Sequence, residues 1–239
     1  MNGSKNEKWS EGVPSMLVRL LLGILLTTLP SAIAAQNKAS ERAGTLKHPI
    51  IDARMIEKEA FDGLDPTCPD DIRKRQRLIT LKYYSFDKRV HQGQLVVDKD
   101  LVKDVKKVFK AALEMRFPIF SVIPISDMRF RKNGRWDDNL SMAANNTSAF
   151  NYRLVTGGTT LSNHATGTAV DINTVQNPYI KGAILLPPNG KYDPGAIGTF
   201  TPDHPIVKLF EKLGWTWGGM WTSPIDYQHF EKPRKIQPK

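Results

Sequence analysis

His164 and Asp171 stand seven residues apart in Ser162-Asn-His164-Ala-Thr-Gly167-Thr-Ala-Val-Asp171, and His229 follows Asp226 by three in Asp226-Tyr-Gln-His229-Phe-Glu231. Two imidazoles and two carboxylates suit zinc chemistry. A catalytic zinc takes three protein ligands from His, Asp or Glu and keeps a fourth position for water, whose pKa falls to about 7 on binding. Two His and one Asp meet that count, with one carboxylate left over. Hydrolysis of a peptide bond needs such a spare carboxylate as general base, to take a proton as water attacks the carbonyl. It also needs a positive group near the developing oxyanion or a substrate carboxylate, and Arg153 lies just upstream of the first histidine. Taken singly, each residue has an ordinary reading: a hydrogen-bonded loop histidine, a strand histidine, a surface salt bridge for Arg153, a turn residue after Pro224 for Asp226. Their joint occurrence is what those readings explain poorly.

The elements that must position these groups follow from pattern. On one straight strand an odd separation sends two side chains to opposite faces, so a break must lie between His164 and Asp171, and Gly167 supplies it. Beyond it, alternation predicts Thr168, Val170 and Ile172 toward a core and Ala169, Asp171 and Asn173 away from it, the small Ala169 leaving room for an ion or a ligand. The second pair is preceded by the glycine-bearing turn Gly218-Gly-Met-Trp221. Upstream, β-branched and aromatic residues from Leu78 to Tyr84, then Gln94 to Val97 after Gly93, predict two strands. Leu101, Val102, Val105, Val108, Phe109, Ala112 and Leu113 recur at helical spacing and predict a helix over 98–116, stopped before Pro118. A buried strand over 120–125, a polar loop over 129–146, and a helix over 205–213 with Pro205 in its first turn and Gly214 as its stop complete the pattern. Residues 36–77 are charge-rich and read as an N-terminal arm, with a short helix over 52–61 and a turn cluster at Asp65-Pro-Thr-Cys68-Pro-Asp70.

The 239 residues, 40% apolar and 24% charged, match one ordinary globular domain with some surplus, which excludes a multidomain assembly and a disordered polymer. Part of the surplus is N-terminal. After Arg19, an apolar run from Leu20 to Leu29 closes on Pro30-Ser-Ala-Ile-Ala34-Ala35, the layout of a cleaved signal peptide and too short for a membrane anchor. Of the formal charge of +10, the expected exported chain keeps about +9, which suits an anionic partner. Cys68 is alone, so no internal disulfide forms. The basic residues are scattered over 73–77, 103–110, 129–135 and 232–239, and together with the export signal this argues against nucleic acid.

Ser162-x-His164-x-x-Gly167-x-Ala169-x-Asp171 with Asp226-x-x-His229 resembles the signature of the D-alanyl-D-alanine carboxypeptidase-type zinc peptidases, which share a fold with lysostaphin-type peptidases and the hedgehog signalling domain. Tyr83-Tyr84, His91-Gln-Gly93, the segment from Ser141 to Arg153 and Trp215-Thr-Trp-Gly-Gly219 are similar to its endolysin-like bacterial branch, so the likeness runs from about residue 78 to 232. It implies an α+β fold, a small, mainly antiparallel sheet flanked by helices, in a single domain with the site in a groove on one sheet face. It implies one zinc per chain on His164, Asp171 and His229, Asp226 as catalytic base and proton donor, Arg153 stabilising the transition state or binding substrate, and Ser162 as a substrate hydrogen-bond partner. Trp217 and Trp221 are candidates for the pocket wall or the core.

The expected organisation is a signal peptide (1–35), an arm (36–77), a zinc peptidase domain (78–232) and a basic tail (233–239). The protein so described is a monomer, periplasmic or extracellular, with no membrane span after cleavage, acting on peptidoglycan stem peptides. It either trims terminal D-Ala or cleaves L-Ala from D-Glu. The resemblance also implies a distinction: vancomycin-resistance carboxypeptidases of the family carry Glu where this chain has Asp226, and the L-Ala-D-Glu branch carries Asp. The stretch 181–203 has no counterpart in the resemblance, and a loop there near the groove is placed to set specificity. The alternative is a non-catalytic, zinc-containing module that binds cell-wall peptides or another partner, keeps His164, Asp171 and His229, and leaves Asp226 a supporting role.

Overall fold

Strand β1 (Ile50–Ile51) and two single-turn helices, α1 (Glu57–Ala60) and α2 (Asp70–Arg73), open the computed structural model, which describes residues 43–234. The expected signal peptide and residues 235–239 of the tail lie outside the described residues. Strands β2 (Gln76–Tyr84) and β3 (Val90–Asp98) then pair antiparallel along their whole length, Gln76 opposite Asp98 and Tyr84 opposite Val90. The predicted strands are therefore present and longer. Ile79, Leu81 and Tyr83 point inward while Thr80 and Lys82 are exposed, the period of a half-buried strand. β3 lies between β1 and β2 and is buried on both faces, Leu95 and Val97 in the main core and Val96 in a second cluster with Ala60, Ile72 and Phe150. Residues 44–75, read from the sequence as an arm, pack on this sheet. Ile50 and Ile51 pair in parallel with His91 and Gln92, and the His91 imidazole stands between Asp52 and Asp87 at 2.8 and 3.1 Å.

Helix α3 (Val102–Glu114) buries Val105, Val108, Phe109 and Ala112 against β2, as its spacing predicts, and full burial of each large side chain contributes about 1.5–3 kcal/mol. It starts four residues later than predicted. The Asp98 carboxylate binds Arg75 at 2.7 and 2.9 Å and accepts from the Asp100 amide, which holds a turn ahead of the helix.

The segment 120–146 departs most from its prediction. The strand expected over 120–125 is only β4 (Ser121–Val122), because the Asn146 side chain bonds both the N–H and the C=O of Ile123 and takes the place of a backbone ladder. The expected polar loop holds a hairpin, β5 (Arg131–Lys132) and β6 (Arg135–Trp136), closed by Asn133-Gly134 with positive φ at both residues. Next comes helix α4 (Asp138–Ala143), whose N-cap Asp137 accepts from the Leu140 amide, and β7 (Asn146–Thr147), parallel to β4. Asn-Gly and an Asp cap are local signals that a count of polar residues hides.

β8 (Ala169–Asp171), β9 (Tyr179–Lys181), β10 (Ile184–Leu186), helix α5 (Pro205–Lys212), β11 (Thr216–Trp217), β12 (Ile225–Asp226) and β13 (His229–Glu231) complete the chain. Instead of one small sheet, the described residues form five, among them β11-β13-β8 and β10-β9-β12, and six of the eight strand pairings are antiparallel. Five helices accompany them, and none of the described helices is long and apolar enough to cross a membrane. The main core joins β2, β3 and α3 to α5, Val170, Ile172, Trp215, Trp217 and Phe230.

α5 is capped by His204, whose Nδ1 accepts from the Ile206 amide while the ring packs edge-on against Phe117 and Phe200. Burial lowers its pKa below the ordinary value of 6.5. The folded state thus prefers neutral His204, and protonation also removes the Nδ1 acceptor. The stabilisation is complete above the unfolded pKa of about 6.5 and is lost as pH falls through the folded value. His204→Asn, which keeps an N-cap acceptor, is expected to flatten the decline of melting temperature between pH 7 and pH 5, measured beside the wild type.

Candidate metal centre

The register of two strands places the first pair of groups. β13 runs antiparallel to β8 with His229 opposite Asp171, Phe230 opposite Val170 and Glu231 opposite Ala169. Directly opposite residues share a face. Phe230, Val170 and Ile172 go to the core, leaving Asp171, His229 and Glu231 on the other side. His164 reaches them from a single 3-10 turn, Asn163–Thr166, capped by Ser162, whose Oγ accepts the His164 N–H. Gly167 ends that turn at φ 68° and carries the chain into β8, so the break expected from the sequence is present. A Cβ there would stand 2.0 Å from Gln76 Oε1. That close approach matters, since Gln76 Nε2 donates to the Thr166 carbonyl and braces the turn. Asn173 does not face away freely as alternation suggests: at φ 51° it is buried and bonded to Phe120, Pro118 and Gly198.

His164, Asp171 and His229 are buried, and one ligand atom from each lies within 4.8 Å of the others. Their hydrogen bonds select the tautomers. His164 Nδ1 is 2.6 Å from the Ala149 carbonyl, an acceptor only, so Nδ1–H donates and Nε2 keeps its lone pair. His229 Nε2 is 2.9 Å from Glu231 Oε2 and donates to it, so in the neutral ring the lone pair is on Nδ1, which faces Asp171. These two lone-pair nitrogens are 3.2 Å apart, and the Asp171 oxygens lie 3.1 Å from one and 2.9 Å from the other. Two imidazole nitrogens and a carboxylate converging on one buried point are a donor set for a cation such as zinc.

The electrostatics agree. Burial alone would lower the His229 pKa, yet its bonds to Asp171 and Glu231 raise it to about 10, so a positive charge is favoured at this point, either a proton on Nδ1 or a cation that takes its place. Burial opposes ionisation of Asp171, but the two histidines hold it well below the usual carboxylate range. Glu231 also stays ionised against its burial, through His229 and an Asn163 bond of 2.7 Å. Glu231 is the functional group that sequence reasoning passed over. Its signal was the spacing His229-x-Glu231, which puts both side chains on one strand face. Such a carboxylate orients a ligand histidine and sharpens its basicity. Glu231→Gln is expected to weaken zinc binding about 10- to 100-fold, measured by competition with a chelator of known affinity.

Asp226 lines the same cavity, of about 190 Å3, from strand β12. Gly218 lets that strand come close, because a Cβ there would meet the Asp226 carbonyl at 2.6 Å. Asp226 Oδ1 is buried without a hydrogen-bond partner, and burial pushes its pKa up to about 7. A carboxyl group of that pKa can hold a proton or release it near neutral pH. Arg153 also borders the cavity. Its NH2 binds Asp138 at 2.7 Å, its NH1 donates to the Leu154 carbonyl, and its Nε–H is a buried donor with no partner. The sequence singles out Arg153 but not Asp138, which reaches it from the first turn of α4. Ser162 borders the cavity with its oxygen engaged by His164 N–H and its own proton free to donate. Of the two tryptophans, Trp217 belongs to the core, while Trp221 lines the cavity with its ring 5.3 Å from that of His229.

Two buried histidines and an aspartate, set in a cleft beside a carboxylate with one unpartnered oxygen, define a candidate metallohydrolase centre. Residues 156–232 match the family model described as D-alanyl-D-alanine carboxypeptidase, and the matched segment, about a third of the chain, spans both histidines, Asp171, Asp226 and Glu231. Arg153 and Asp138 lie outside the matched segment. No curated protein and no solved structure matches the chain.

Proposed function

We propose that the chain is an exported, zinc-dependent peptidase of peptidoglycan stem peptides, cutting either a terminal D-Ala or the L-Ala-D-Glu bond. The observation that carries this reading is the convergence of His164 Nε2, His229 Nδ1 and the Asp171 carboxylate, with the outer nitrogen of each ring already committed to a hydrogen bond. Those three residues hold the metal. When bound, zinc supplies Lewis-acid polarisation of the scissile carbonyl.

The remaining work belongs to the chain. Asp226 takes a proton from the attacking water as the new C–O bond forms, then delivers it to the amine as the C–N bond breaks. Its burial suits both halves, since the carboxylate is basic enough to accept the proton and acidic enough to return it. Arg153, steadied by Asp138, offsets the negative charge that develops on the carbonyl oxygen or a substrate carboxylate. Ser162 offers its hydroxyl proton to the substrate. The net positive charge draws the protein to an anionic wall. The groups of β8 and β13 lie on one face of a small antiparallel sheet, as the hedgehog-type fold of the family requires, and we include that fold in the proposal.

The test is mass analysis of muropeptides after incubation with the zinc-loaded protein, with its Asp226→Asn variant and with a chelated sample. Cleavage by the first alone is expected, and the fragment masses identify the bond. Unchanged muropeptides in all three overturn the reading. The non-catalytic alternative leaves Asp226 unexplained, because a binding module has no use for a carboxylate that keeps one buried oxygen without a partner beside the metal ligands.

A further inference from the structure

We infer that Lys181 is a specificity-determining residue that binds a carboxylate of the peptide substrate within one or two residues of the scissile bond. The inference rests on the peptidase reading above and deepens it.

Register carries the placement. β9 lies between β10 and β12, with Tyr179 opposite both Asp226 and Leu186 and Lys181 opposite Ile184. Side chains alternate along a strand, so Tyr179, Lys181, Asp226 and Leu186 share a face. All four line the cavity, and their neighbours Ile180, Leu185 and Ile225 do not. Lys181 thus stands two residues, about 6.6 Å of strand, beyond the position paired with Asp226. A peptide in extended conformation that presents its carbonyl at Asp226 passes Lys181 within the next residue or two.

Charge carries the chemistry. Besides the two histidines, the cavity has one arginine and one lysine: Arg153 is held by Asp138 at 2.7 Å with its Nε–H left for the substrate, and Lys181 is the second. Asp171 and Glu231 are held by the two histidines and Asn163. The Lys181 ammonium has no ion pair or hydrogen bond among the described residues, and the residue is exposed where it lines the cavity. A lysine is a flexible point charge with three donors, suited to a carboxylate whose position varies slightly between substrates. The same cavity is lined by some apolar side chains as well: Val155 and Leu161, 45% and 47% exposed, and Leu186 and Trp221. The site therefore fits a peptide bearing one carboxylate near the cut. That carboxylate is either the C-terminus of the peptide or a branch on the residue beside the bond.

Three peptides separate the two sources: the stem peptide with both carboxylates free, the same peptide amidated at its C-terminus, and the same peptide amidated at the branch. Binding is measured by calorimetry on the zinc-loaded Asp226→Asn protein, so that no substrate is consumed, with and without Lys181→Met. Amidation of the recognised carboxylate is expected to raise Kd about tenfold in the protein that keeps Lys181 and to have no effect once Lys181→Met is present. Lys181→Arg is expected to restore the discrimination. In parallel, steady-state kinetics on otherwise wild-type protein should show Lys181→Met raising KM for the free peptide about tenfold with kcat little changed. Equal discrimination with and without Lys181, or binding of none of the peptides, overturns the inference. If discrimination depends on Lys181 but the wild-type protein cuts nothing, only the peptidase reading fails; if it cuts while discrimination ignores Lys181, only the inference fails.

Discussion

An Asp226→Asn variant is expected to lose about 100- to 10,000-fold in kcat/KM on stem peptides while retaining one equivalent of zinc. The substitution keeps the shape of the side chain and the backbone pairing of β12 with β9, so the cavity wall survives. What it removes is the ability to take and return a proton. Asp226 is not one of the three converging ligands, so the metal stays. The rate is read on zinc-loaded protein together with metal content by mass spectrometry. A normal rate at full zinc would move the base to another carboxylate. Glu231 is the nearest rival, yet both His229 and Asn163 already engage it.

The second large effect is expected for Asp171→Ala. Asp171 is the only anion among the three ligands, and its two oxygens face the two lone-pair nitrogens. Its removal leaves two neutral imidazoles 3.2 Å apart, too few donors for a structural or catalytic zinc. Zinc affinity should fall well beyond the roughly 10- to 100-fold expected from losing a supporting carboxylate such as Glu231. Thermal melts give an independent reading. A ligand that binds only the folded state at 100 times its Kd adds about 2.7 kcal/mol, and for a chain of this size each kcal/mol raises the melting temperature by about 2–4 °C. Zinc is therefore expected to raise the wild-type melting temperature by about 5–10 °C and to leave Asp171→Ala unmoved. An equal shift in both proteins would place the metal elsewhere.

Features that depend on neighbours in the chain were legible before any fold was known. The spacing of Val105, Val108, Phe109 and Ala112 predicted the buried face of α3, and Pro205 with Gly214 bracketed α5. Gly167 had to break the strand between His164 and Asp171, and it does so at positive φ. Less legible were elements made by side chains acting as backbone. Asn146 bonds Ile123 where a strand was expected, and Asp137 starts α4 where a loop was expected. Composition does not reveal which polar side chains will bond the main chain. The same blindness hid the partners of the site. Asp138 lies 15 residues before Arg153, and Ala149 lies 15 before His164, with no pattern linking either pair.

By itself, the sequence determined the kinds of group this protein brings to its site: two histidines, a ligand carboxylate, a spare carboxylate and a glycine that lets the chain turn between them. Those properties follow from residue type and short-range spacing, which folding does not change. The tertiary structure alone decided which nitrogen of each histidine is free, because that depends on the Ala149 carbonyl and the Glu231 carboxylate beyond the rings. It also decided that Asp226 Oδ1 is left without a partner, and that Lys181 shares its face of the sheet through the pairing of β9 with β12. Register is set when separate strands pair and bury a common face, and no residue in one strand carries the address of its partner in another.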